Sequence, residues 1–151
     1  MARFLKQEKT KIGSAPGSLI FVGHKKTDKV YVHALQYGKD RCEVFEDHDL
    51  LTLPDLLRND AVTWIDIIGL HDIKVISKIG EQFNLHPLLL EDILNTDQRP
   101  KYEEFEDNIS IILKMLSADK VEGVVQTEQV SAVVGKNYVL CFQEAEGDVF
   151  E

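Results

Sequence analysis

The chain has 151 residues, 44% of them hydrophobic and 28% charged; that balance suits one soluble globular domain able to bury about 70% of its unfolded surface. Its net charge of −9 argues against nucleic acid or an anionic bilayer surface as the main partner. No run approaches the ~20 apolar residues of a membrane-spanning helix, and the basic N-terminus (Arg3, Lys6, Lys9, Lys11) lacks the apolar core of a signal peptide.

Residues 1–17 are polar, basic and rich in Gly, Ser and Pro, and read as a flexible arm; residues 18–151 read as one αβ domain without internal repeat or boundary. Three strands are expected first, at residues 18–23, 30–37 and 41–45, the second alternating Val30, Val32 and Ala34 with Tyr31, His33 and Leu35. A short helix is expected at residues 53–58, with Pro54 near its start. VTWIDII at residues 62–68 is apolar on both faces apart from Asp66, the pattern of a central strand. Within such a strand Asp66 is either a ligand or a carboxylate hydrogen-bonded to local backbone, the second being the ordinary role.

Residues 71–83 read as a helix with Ile73, Ile76, Ile79 and Phe83 on one stripe and Lys74, Lys78 and Glu81 outside. His71 and Asp72 stand at its start, where an aspartate complements the positive end of the dipole. Strands follow at residues 105–116, 124–134 and 138–142, joined by turns at 118–123 and at Gly135-Lys136-Asn137. Cys42 and Cys141 lie in apolar runs without CxxC or Cys/His spacing, and read as two buried free thiols. The fold class expected is α/β: about seven strands in a mixed, largely antiparallel sheet, with helices packed on its faces.

The organising stretch is NLHPLLLEDILNTDQRPKYEEFED, residues 84–107. Pro87 suits the first position of a helix, where no backbone N–H is needed, and Pro100 forbids that helix from running past Arg99. Leu89, Leu90, Ile93 and Leu94 form one apolar arc; at about 100° per residue, Glu91 and Asp92 fall opposite, with Leu88 between them. Adjacent carboxylates diverge by that same angle, so each suits its own ion or partner rather than joint chelation. Such a face is either a solvated surface with a stray leucine or a contact surface. Glu103, Glu104, Glu106 and Asp107 read as a solvated strand edge, with a weak hard-cation patch as the alternative. Arg99 and Lys101 are expected to pair with Glu91, Asp97 or Glu103.

LHPLLLEDILN at residues 85–95, QRPK at 98–101 and IILKM at 111–115 together resemble the cytosolic N-terminal domain of the CorA family of magnesium and cobalt transporters. The similarity runs from about residue 15 to residue 151, through Trp64-Ile65-Asp66-Ile67, Gly69-Leu70-His71, Phe142-Gln143-Glu144 and Gly147-Asp148-Val149-Phe150. The resemblance implies a cytosolic regulatory domain without chemistry of its own. It implies weak regulatory Mg²⁺ (or Co²⁺) binding in which Glu91 and Asp92 contribute to sites between subunits of a homo-oligomer, a pentamer in the family. Complementary acids there come from stalk segments beyond this sequence. It also implies further helices covering part of the sheet, so that one face is less well covered here. The segment itself is expected to touch neither nucleic acid nor membrane, at the cytoplasmic face of a membrane protein. A zinc-exporting relative with the same cytosolic fold is a nearby alternative. A stand-alone metal-dependent hydrolase would need Asp66, His86, Glu91 and Asp92 converging in one cleft, although no nucleophile elbow, P-loop or His-Glu-x-x-His motif is present.

Overall fold

Period-two alternation in the apolar runs produces strands whose register decides which side chains share a face. The computed structural model describes residues 13–46, 50–118 and 125–147. In it β1 (Tyr31–Tyr37), β2 (Cys42–Phe45), β3 (Val62–Ile68), β4 (Lys101–Glu104), β5 (Ile109–Ala118), β6 (Val125–Val134) and β7 (Tyr138–Gln143) form one sheet, in the order β2-β1-β3-β7-β6-β5-β4. All neighbouring pairs are antiparallel except β3 with β7. The α/β class and the mixed, largely antiparallel sheet agree with the sequence reading.

A 3₁₀ helix (Leu50–Leu56), α1 (Ile73–Gln82) and α2 (Pro87–Ile93) pack on one face. There Val32 and Ala34 of β1, Ile65 and Ile67 of β3, Val133 of β6, and Leu140 and Phe142 of β7 meet Leu53, Ile76, Ile79, Phe83, Leu89, Leu90, Ile93 and Leu94. The opposite face carries no element of the described residues. The register aligns an apolar row across it: Val44 beside Leu35, then Trp64, Val139, Val134 and Ile109. Val44 is 66% exposed, and Leu113 on the same face 49%. Helices therefore pack on one face rather than both, in keeping with the expected thinner cover on one side.

Residues 18–23 are not a strand. Val22 makes an isolated bridge to Asn95, donating to Leu94 O (2.9 Å) and accepting from Thr96 N (2.9 Å), so the segment lies along the end of α2 while Leu19 and Phe21 pack on the core. The strand expected over 105–116 is present as β5, beginning at Ile109, and it is preceded by a strand the sequence did not announce, β4. β4 pairs with the start of β5, and the turn between them closes with Phe105 N donating to Asn108 O at 2.8 Å. KYEE alternates lysine and glutamate with tyrosine and glutamate, so it has no apolar rhythm to announce a strand. Two segments thus exchange roles while the strand count stays at seven. The expected 53–58 helix is 3₁₀ and begins earlier. Cys141 is buried as expected, whereas Cys42 is exposed, because β2 is an edge strand on the uncovered face. Of the expected arm, residues 1–12 lie outside the described residues, as do residues 119–123 of the expected 118–123 turn and residue 124 of the strand expected after it.

Candidate functional site

The site is built around α2. Asn84, at φ +49°, turns the chain out of α1, and Leu85 N donates to Gly80 O at 2.8 Å. His86 caps α2: its Nδ1 accepts the Leu88 N–H at 3.2 Å and its ring stacks on Phe105 at 5.4 Å. Pro87 follows at the first helical position. Gly80 lets the two helices close up, since a Cβ there would lie 2.4 Å from Leu90 Cδ1.

The far end of α2 is tied to the sheet by polar groups buried beneath it. Gln129 Nε2 donates to Asp92 O (3.2 Å) and Ile93 O (3.4 Å), and the Lys114 ammonium donates to Thr96 O and lies 3.3 Å from Gln129 Oε1. These bonds add side-chain donors to carbonyls at and beyond the helix end, Asp92 O also accepting Asn95 N at 3.2 Å. Burial pushes the Lys114 ammonium below its ordinary pKa. Glu144 accepts from Gln129 N at 2.8 Å and pairs with Lys26 at 3.0 Å. Sequence reasoning missed this layer, because Lys114, Gln129 and Glu144 converge only through strand register.

On the outer side of α2, Leu88 is 44% exposed, as the helical wheel implies. Glu91 and Asp92 are partly buried rather than largely exposed. Glu91 Oε2 accepts the Gly17 N–H at 2.7 Å. Asp92, its side chain 15% exposed, holds the Lys101 ammonium at Oδ2 and the Gln98 amide at Oδ1. The reason is chain reversal: the segment after α2 folds back along the helix and delivers Gln98 and Lys101 to it. Lys101 also pairs with Glu103 at 2.9 Å, one of its expected partners, while Asp92 is a partner that sequence did not indicate. Burial works against the Lys101 ammonium, but its hydrogen bonds to Asp92 and Glu103 outweigh it and raise its pKa.

Asp72 caps α1 as expected, accepting from Lys74 N (3.0 Å) and Val75 N (3.4 Å). Asp66 Oδ1 accepts from Gln143 Nε2 at 2.8 Å, across the β3–β7 pair. It alternates with Ile65 and Ile67, so it faces away from the helices and from Glu91, Asp92 and His86. Among the described residues no three His, Cys, Asp or Glu side chains gather as a metal site, and Asp66 lies on the other face of the sheet from His86, Glu91 and Asp92.

A family model described as CorA-like Mg²⁺ transporter protein matches residues 59–151. The chain belongs to the CorA family. It is 40% identical over 146 residues to the cobalt/magnesium transport protein CorA of Thermotoga maritima, covering 97% of this chain and 41% of that relative. This CorA-family chain thus spans about two-fifths of its relative's length. Its fold is similar to the complete structure of the CorA magnesium transporter from Methanocaldococcus jannaschii, with a TM-score of 0.52 and 19% identity, covering 77% of this chain and 32% of that one. It is also similar to the full-length CmaX protein, with a TM-score of 0.59 and 12% identity, covering 79% and 35% respectively. The family is one of transporters rather than enzymes. Among the described residues of this member no helix is long and apolar enough to cross a membrane.

Proposed function

We propose that the chain is the cytosolic, divalent-cation-sensing domain of a CorA-like Mg²⁺/Co²⁺ transporter or channel. It gates through cation sites between subunits, to which Glu91 and Asp92 each contribute. The observation that carries this reading is the outer face of α2, where exposed Leu88 stands one turn from both carboxylates on a helix locked into the core behind them. Family membership makes a divalent cation the natural ligand of that face. Mg²⁺ wants near-octahedral oxygen, keeps much of its water, and is commonly held by one or two carboxylates at a time. The divergence of Glu91 and Asp92 around the helix gives each its own ion. Complementary acids come from a neighbouring protomer of a homo-oligomer, in segments beyond residue 151. A cation between acidic surfaces holds subunits together, and its loss lets like charges push them apart.

The test is a calorimetric titration of this chain with Mg²⁺. A half-site gains little over water, so saturation is expected only in the millimolar range, at roughly 1 mM or above. In the full-length protein, Mg²⁺ removal should loosen the subunits and Asp92→Asn should weaken that dependence. Micromolar affinity in the isolated monomer would overturn the inter-subunit mechanism.

A further inference from the structure

Asp92 already holds a cation, one supplied by the chain itself. The Lys101 ammonium sits on Oδ2 and the Gln98 amide on Oδ1, so both carboxylate oxygens are engaged. The placement of Lys101 is built into the sheet. Its register partner on β5 is Ile112, itself 0% exposed, which puts Lys101 on the helix-covered side of β4 and within reach of α2. The lysine side chain is 27% exposed and that of Asp92 15%, so water and salt screen the pair less than they would on an open surface. The same ammonium lies 2.9 Å from Glu103 Oε2, a second carboxylate that keeps hold of it if Asp92 lets go. Lysine suits such an exchange, being a point charge on a flexible stem with freely rotating donors, where a guanidinium fork would dock more rigidly.

We propose that Lys101 is a tethered competitor for the divalent cation at Asp92. A cation binds Asp92 by displacing the ammonium onto Glu103, and the strength of the Lys101 contact sets the concentration at which the site responds. The inference rests on the reading of Asp92 as a cation-binding group, and names what tunes it.

Mn²⁺ titration of this chain, followed by paramagnetic broadening of the backbone amide signals around Asp92, tests both levels separately. Lys101→Met should lower the Mn²⁺ midpoint at Asp92 about tenfold, equivalent to ~1.4 kcal/mol. Lys101→Gln, which keeps a polar group at the sheet edge, should move it the same way and serves if the methionine variant folds poorly. Lys74→Met, an equal charge change on the exposed side of α1, should leave the midpoint where it is. Broadening at Asp92 with the same midpoint in wild type and both Lys101 variants overturns the competitor and leaves the cation reading standing. An equal shift in Lys74→Met also overturns it, since bulk charge would then be the cause. Broadening that is absent around Asp92, or that persists unchanged in Asp92→Asn, overturns the cation reading and the competitor with it.

Discussion

Glu128 Oε1 accepts the backbone N–H groups of Glu144 (2.8 Å) and Ala145 (2.7 Å), so one carboxylate closes the end of β7. Burial pushes its pKa above the ordinary 4.5, against the pull of those two bonds and of Lys26. For an acid whose folded pKa is raised, the native state binds more protons than the unfolded one between the two values. Its contribution is fully present below the ordinary carboxylate value and is lost as pH rises through the raised one. Glu128→Gln keeps an acceptor oxygen but cannot ionise. Urea denaturation should therefore show the variant gaining on wild type as pH is raised from 4 to 7; a constant difference would mean that Glu128 ionises in the fold as it does in water. Lys101 holds the same lesson at the candidate site. Its pairing with Glu103 was legible from closeness along the chain, whereas Asp92 came within reach only through the reversal after α2.

At the scale of the element, α2 was the most readable part of the chain. Pro87 marks its start, and Leu89, Leu90, Ile93 and Leu94, all buried, mark its inner side. Leu90→Ala and Ile93→Ala should each cost about 2–5 kcal/mol, as truncation of a buried aliphatic side chain does. Gly80 carried no comparable signal, because a glycine inside a helix normally reads as a weakness. Its Cα hydrogens face Leu90 across the helix pair. Gly80→Ala should accordingly destabilise the chain, overpacking of about 1–3 kcal/mol exceeding the gain of up to ~1 kcal/mol in helix propensity. Chemical denaturation of the three variants measures these costs. A stabilised Gly80→Ala would show that Leu90 can swing clear.

Among the described residues the sheet has helices on one face only. The other is open along its β2–β1 and β5 sides, while Ile68, Val130 and Cys141 there are buried. The row from Val44 through Leu35, Trp64, Val139 and Val134 to Ile109 crosses six strands without a polar residue. Contiguous apolar surface of that extent is unusual on a solitary domain. The isolated chain should therefore bind a hydrophobic dye and self-associate as concentration rises. Leu113→Lys and Val44→Lys should reduce both effects while changing stability by no more than ~0.5 kcal/mol, since both residues are already exposed. Sedimentation velocity with dye titration decides it, and a strictly monomeric wild type that binds no dye would mean that the face is screened.

The sequence by itself determined what depends on near neighbours: caps, turns, helical stripes and the alternation of most strands. Asp72 before α1, His86-Pro87 before α2 and the Gly135 turn are decided within a few residues, where side-chain chemistry acts directly on adjacent backbone. The motif run around LEDI also sufficed to indicate the family. Only the tertiary structure decided which of two extended segments joins the sheet. An edge strand is chosen by the neighbour it pairs with, and KYEE found β5 while residues 18–23 found the end of α2. It alone decided the surroundings of the two acids, because Gly17, Gln98 and Lys101 reach them through the path of the chain in space. Exposure is a property of what folds over a residue, and no helical wheel contains that.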